Sequence, residues 1–143
     1  MRVRFELLRF AIVFAVGGVG YAIIELIWRG RTHPTMIVAG GLCFGLFSII
    51  AQLLDGKPLI FKALLGAVCV TSVELIFGVV FNMALGMGVW DYSEAPYNFL
   101  GQICLLYSLY WVALGLVFIP LADKINRRLL RLCGCTTKIT YDA

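Results

Sequence analysis

The side chains that could do chemistry in this sequence are few: Glu25, His33, Glu74, Asn82, Trp90, Asp91, Asn98 and Gln102, set among long apolar runs. Glu74 is the most telling. It lies near the middle of the run from Leu59 to Leu85, and an ionisable group at such depth faces a bundle interior, a partner or a water-filled cavity. Two chemistries fit it. One is proton or cation binding at the floor of a polar pocket. The other is an interhelical hydrogen-bond cluster, with Thr71, a Tyr or an Asn as partner, that only fixes packing. Glu74, Gly78 and Asn82 recur at i, i+4 and i+8 and so share one helix face, with Asn82 about 12 Å further along the axis.

The other candidates have local readings too. Glu25 precedes Arg29 by one turn, the spacing of a helical ion pair. Asp91 with Ser93 suits a capped turn, and Trp90, Tyr92 and Tyr97 suit an aromatic belt at a membrane interface. His33 stands beside Pro34 without companions at metal-ligand spacing, so neither a metal nor another cofactor is expected. Cys133 and Cys135 read as exposed thiols, with lipidation or a metal pair as alternatives. The sequence contains no G-x-S-x-G, no H-E-x-x-H and no phosphate-cradling Gly-Lys loop. An enzyme is therefore not expected, and any nucleotide hydrolysis needs a separate ATPase partner.

The elements that must position these residues follow from composition. Of 143 residues, 62% are hydrophobic and 14% charged, against about half and about a quarter in soluble domains. A chain of this length cannot hide that excess in a water-facing core, whereas hydrocarbon lets apolar side chains point outward. The expected fold is an all-α membrane protein, a single four-helix transmembrane bundle with helices at about 6–28, 34–54, 59–85 and 99–121. The first run continues well beyond the h-region of a signal peptide and reads as a retained helix. Pro34 suits the first turn of the second helix, and Pro120 marks the close of the fourth. Gly17, Gly18 and Gly20, then Gly40, Gly41 and Gly45, are small residues that let helices approach closely. Residues 122–132 read as a short basic amphipathic segment lying along anionic lipid, and 133–143 as a flexible tail.

Lysine and arginine set the orientation. Four crossings put both termini and the Asp55–Pro58 turn on one side, with Arg2, Arg4, Arg9, Lys57, Lys62, Lys124, Arg127, Arg128, Arg131 and Lys138, against Arg29 and Arg31 on the other. The positive-inside rule makes both termini cytoplasmic and the protein a multi-pass protein of the plasma membrane. The net charge of +4 then reflects topology, and no nucleic-acid partner is expected. In this orientation Glu25 and His33 reach the outer end from the first hairpin, Asp91 from the outer loop, and Asn98 and Gln102 from the start of the fourth helix. Polar groups converge on the outer half of the bundle, as in a vestibule with Glu74 at its floor.

Ile24-Glu25-Leu26-Ile27-Trp28-Arg29-Gly30-Arg31-Thr32-His33, Gly40-Gly41-Leu42-Cys43-Phe44, Glu74 with Gly78 and Asn82, Val89-Trp90-Asp91-Tyr92-Ser93, and Gly101-Gln102-Ile103-Cys104 with Trp111 together resemble the small bacterial "putative ABC-transporter type IV" (CmpB-like) membrane family. A vertebrate group of small four-helix transmembrane proteins is similar as well. The resemblance runs from Gly20 to Asp123 and implies a permease-type protein of the plasma membrane. The sequence departs from it at Ala51-Gln52-Leu53-Leu54-Asp55, where an Asn-Glu pair is frequent, and at the lone Asp123, where a doubled Asp is usual.

The expected function is of the transport class: a permease-like subunit or small channel, homo-oligomeric, moving protons or monovalent cations past Glu74, Asn82, Asp91 and Gln102. The alternative is a structural, regulatory or holin-like membrane protein whose polar cluster fixes oligomerisation.

Overall fold

The computed structural model describes residues 2–132. Four helices dominate: α1 (Arg2–Arg29), α2 (Pro34–Leu53), α3 (Leu59–Phe77) and α4 (Leu105–Leu132). All four runs are long and apolar enough to cross a membrane, so the chain is a multi-pass membrane protein. The helices run up and down. Gly17 meets Gly40 and Gly18 meets Ile37, while Ala63 meets Gly115 and Thr71 bonds Ser108, and in both helix pairs one residue number rises as the other falls. One end of the bundle, the terminal end, holds the start of α1, the Leu54–Pro58 turn and the end of α4. The loop end holds Gly30–His33 and residues 85–104.

Close backbone approach sets the packing of α1 on α2. A Cβ built on Gly17 would lie 2.3 Å from Cβ of Phe44 and 2.8 Å from the Gly40 carbonyl, and one on Gly40 would lie 2.3 Å from Cβ of Tyr21. Gly45 has only the Phe10 ring nearby, at 3.4 Å, so the Gly17–Gly40 crossing is tighter than the G-x-x-x-G pair Gly41 and Gly45. Gly20 has nothing within 4 Å of its Cβ position and packs against no helix. The core between α2, α3 and α4 is built on Phe44, Phe47, Val70, Ile119 and Ala122.

Several boundaries differ from those the sequence predicts, each for a local reason. The first helix extends beyond 6–28 at both ends. The third run stays helical to Ala84, but from Gly78 it widens into a π-helix, η1 (Gly78–Ala84). A Cβ at Gly78 would sit 2.6 Å from Oε1 of Gln102, so the widened turn hugs a side chain from another element. Residues 99–104 are not helical. They form a two-residue hairpin, β1 (Asn98–Phe99) against β2 (Ile103–Cys104), because Gly101 N–H bonds to Oδ1 of Asn98 at 3.1 Å and Gly101 takes φ +65°. The small sheet qualifies the all-α expectation. Pro120 does not end the fourth helix. One hydrogen bond is lost there, yet Ile119 and Ala122, 1% and 0% exposed, pack on either side of it. Residues 122–132 therefore continue α4 and bury Ala122 and Asn126 against the bundle, rather than lying flat as a separate interfacial segment. The expected flexible tail 133–143, with Cys133 and Cys135, lies outside the described residues.

Adding a methyl at Gly17 or Gly40 meets backbone and Cβ atoms that cannot rotate away, so Gly17→Ala and Gly40→Ala should each destabilise the protein by about 1–3 kcal/mol. Gly20→Ala should cost nothing of that kind. Unfolding in a detergent–denaturant titration measures the contrast.

Candidate functional site

Two polar assemblies form at the loop end, and a large cavity lies beside them. The first assembly centres on Glu74, which is 8% exposed. Both carboxylate oxygens have partners: the Tyr92 hydroxyl donates to Oε1 at 2.9 Å and the Trp111 indole N–H donates to Oε2 at 3.1 Å. Thr71 bonds Ser108 at 3.1 Å instead of Glu74. A Tyr was among the partners expected from the sequence. Trp111 was not, because only packing brings position 111 opposite position 74. Burial, reinforced by the neighbouring carboxylate, pushes the Tyr92 hydroxyl pKa up, so this group stays protonated and remains a donor.

The second assembly pins the loop to the helices. The Asn82 amide donates to the Trp90 carbonyl and to Oε1 of Gln102, both at 2.9 Å, while its oxygen accepts from Val89 N–H at 2.7 Å. The Trp90 indole N–H donates to the Gln102 carbonyl at 2.9 Å, which places Trp90 6% exposed rather than in an interfacial belt. Asn98 serves the hairpin, donating to the carbonyls of Ser93 and Ala95 at 3.0 and 2.8 Å. Asn82, Trp90 and Gln102 thus come together, one tyrosine away from Glu74.

The remaining candidates stand apart. Asp91 is exposed and accepts from Ser93 N–H at 2.8 Å; the hydrogen bonds from the Ser93 hydroxyl and backbone hold its carboxyl below the usual range. His33 caps α2, with Nδ1 accepting from Thr35 N–H at 3.3 Å. Among the described residues no group of three His, Cys, Asp or Glu could hold a metal ion. Glu25 is buried, pairs with Arg29 one turn on, and accepts from the Thr32 hydroxyl at 2.6 Å.

The space next to Glu74 is small. A pocket of about 20 Å³ touches it, about enough for one water molecule. An outward-opening polar vestibule with Glu74 as its floor is therefore not what the chain builds: loop 89–104 plugs the position, and the polar groups bond one another. The large space lies on the other side of Trp111 and Tyr92. A cavity of about 570 Å³ opens between α1 and α4, walled by Tyr21, Tyr92, Tyr107, Tyr110 and Trp111 with Phe44, Phe47 and Phe118 deeper in, and it carries Glu25 and Arg29 at its loop end. Tyr21 stacks on Trp111 with centroids 6.1 Å apart and Tyr92 on Tyr107 at 4.6 Å. Sequence periodicity gave no sign of this cavity. It exists because α1 touches α4 only sparsely and because Gly20 adds no side chain to fill the gap.

A family model described as "Putative ABC-transporter type IV" matches residues 8–141. The chain belongs to this family. No curated protein and no solved structure matches it. The match takes in every residue of both polar assemblies and of the cavity wall, so the ABC-transporter type IV assignment covers the whole candidate site.

Asn82→Ala leaves the Val89 N–H and the Trp90 carbonyl without their partner, a loss of about 1–3 kcal/mol. Amide exchange at Val89 should accelerate and the fluorescence of Trp90 should shift to the red, while α1 and α2 keep their protection.

Proposed function

We propose that this chain is a permease-like membrane subunit of the transport class, working through the side-opening cavity between α1 and α4 on an amphiphile drawn from the bilayer. The observation that carries the reading is the cavity itself. Its volume of about 570 Å³ falls within the 300–1,000 Å³ of ligand pockets, and its few polar groups amid aromatic walls match their composition. Glu74 then serves as a positioning group: its two hydrogen bonds hold Tyr92 and Trp111 as the wall.

Orientation, location and partners belong to the same proposal. The distribution of Lys and Arg supports cytoplasmic termini in a plasma membrane. Basic residues such as Lys124 and Arg128 support contact with anionic lipid at that face. The sequence lacks a nucleotide-binding loop, so uphill movement is assigned to a separate ATPase, and a homo-oligomer would enclose the open side of the groove. Proton or cation conduction past Glu74 fits less well, since both carboxylate oxygens are already bonded. The same fact favours a second reading, in which the polar cluster is a purely structural lock in a non-catalytic membrane protein. Enzymatic attack on a lipid headgroup by Asp91 and His33 has little support, because each bonds to its own stretch of chain.

Pure protein in liposomes should speed downhill exchange of a short-chain fluorescent amphiphile between leaflets and carry no proton, Na⁺ or K⁺ current. Gly20→Leu, which projects into the cavity, should slow that exchange about tenfold. Proton or cation flux that disappears in Glu74→Gln would reinstate an ion path and defeat this reading, and no movement of any probe would favour the structural lock.

A further inference from the structure

The groove between α1 and α4 sits where hydrocarbon, not water, is the surrounding solvent, and its dimensions narrow the occupant. It is lined along α1 from Val16 to Arg29 and along α4 from Tyr107 to Leu121, a length of about 20 Å at 1.5 Å per residue. One leaflet of a bilayer core is about 15 Å deep. The groove thus starts near the loop-end interface and stops not far past the midplane. Beyond it, Arg9 of α1 donates to Oδ1 of Asn126 on α4 at 2.5 Å and closes the terminal end. A channel would run through; this groove, at about 20 Å, spans little more than one leaflet.

Its mouth carries a guanidinium whose charge is paired with Glu25 but whose donors are not all used. The Arg29 side chain is 27% exposed and gives Nη2 to Glu25. Its Nη1 reaches the Val89 carbonyl only at 3.4 Å, and its Nε has no partner. A guanidinium offers five N–H donors, so most of this one's capacity is unused. Arg31, exposed two residues on, adds a second cation at the loop end, whose carboxylates besides Glu25 and the buried Glu74 are Asp91 and Glu94, neither of which lines the groove. A phosphate, with several anionic acceptor oxygens, suits the remaining Nη donors of Arg29, since the partnerless Nε is itself buried.

We infer that the groove holds one acyl chain of an anionic phospholipid from the loop-side leaflet, with the lipid phosphate on Arg29. The inference rests on reading the cavity as the working surface and adds the chemical class of its occupant. Gly20 is the position that leaves room for the chain, with nothing within 4 Å of its Cβ site.

Trp28, Trp90 and Trp111 are the only tryptophans of the sequence and all line the groove, so intrinsic fluorescence reads it directly. Full-length protein in mild detergent is titrated with phosphatidylglycerol or phosphatidylcholine carrying dibrominated acyl chains. Quenching should saturate at one lipid per chain, with the anionic lipid bound about tenfold more tightly, the scale of one charge-assisted contact. Arg29→Gln should bring the two lipids within about twofold of each other, and Arg29→Lys should keep most of the preference. Gly20→Phe should abolish saturable quenching by both lipids at unchanged helix content. Equal binding of the two lipids that is still lost in Gly20→Phe overturns the headgroup assignment and leaves the cavity reading standing. Quenching indifferent to Gly20→Phe overturns both. A native mass of two chains without lipid gives the groove to a second copy and overturns the inference. Preferential binding without leaflet exchange upholds it while removing the transport reading.

Discussion

A carboxyl group inside hydrocarbon must find hydrogen-bond donors, and the loop end of this protein is arranged around that requirement. Glu74 has two oxygens and takes two donors, one from α4 and one from the loop. Those donors are large aromatic side chains. Satisfying the carboxyl therefore does more than remove a desolvation cost of several kcal/mol. It fixes Trp111 and Tyr92, which stack on Tyr21 and Tyr107 and line the gap between α1 and α4. The buried polar group and the apolar cavity are two sides of one wall.

The loop obeys the same rule. Residues 89–104 carry backbone groups close to the bundle, where unpaired amides and carbonyls are expensive. Asn82 serves two of them, and the Gln102 carbonyl receives the Trp90 indole. The π-helical turn from Gly78 to Ala84 lets this exchange occur: Gly78 permits Gln102 to press against the helix, and the turn delivers Asn82 to the loop. A plug built in this way has its polar groups bonded to one another. It closes the position where a vestibule was expected and leaves a lateral gap of about 570 Å³ against about 20 Å³ beside Glu74.

That gap is a consequence of uneven packing. Gly17 and Gly40 draw α1 hard against α2, while α2, α3 and α4 pack around Phe47, Val70 and Ile119. Held to α2, α1 reaches α4 sparsely, through the Arg9–Asn126 link, the Tyr21–Trp111 stack and Val13 in the shared core. Between them a small residue, Gly20, meets nothing. In a soluble protein such a gap would fill or collapse. In a bilayer the surrounding chains can occupy it, so it persists at no comparable cost.

Much of this was legible from the residues alone. The apolar runs gave four spans because length and hydrophobicity are local properties, and the Glu25–Arg29 pair and the Asp91–Ser93 turn followed from spacing within one element. The Glu74 site was half legible. Its depth marked it as partnered, but the identity of Trp111 and the role of Asn126 depended on which faces of distant helices meet. The helical reading of 99–104 and the stop at Pro120 failed for related reasons. A side chain, Asn98, supplied the hydrogen bonds of a turn, and core packing on both sides of Pro120 compensated for its missing donor. What the sequence by itself determined is the solvent this chain lives in and the number of times it crosses it, since every residue contributes additively to that choice. Only the tertiary structure decided that the polar groups close on one another and that a large gap remains between α1 and α4, because hydrogen bonds and gaps belong to pairs of surfaces and no single segment contains them.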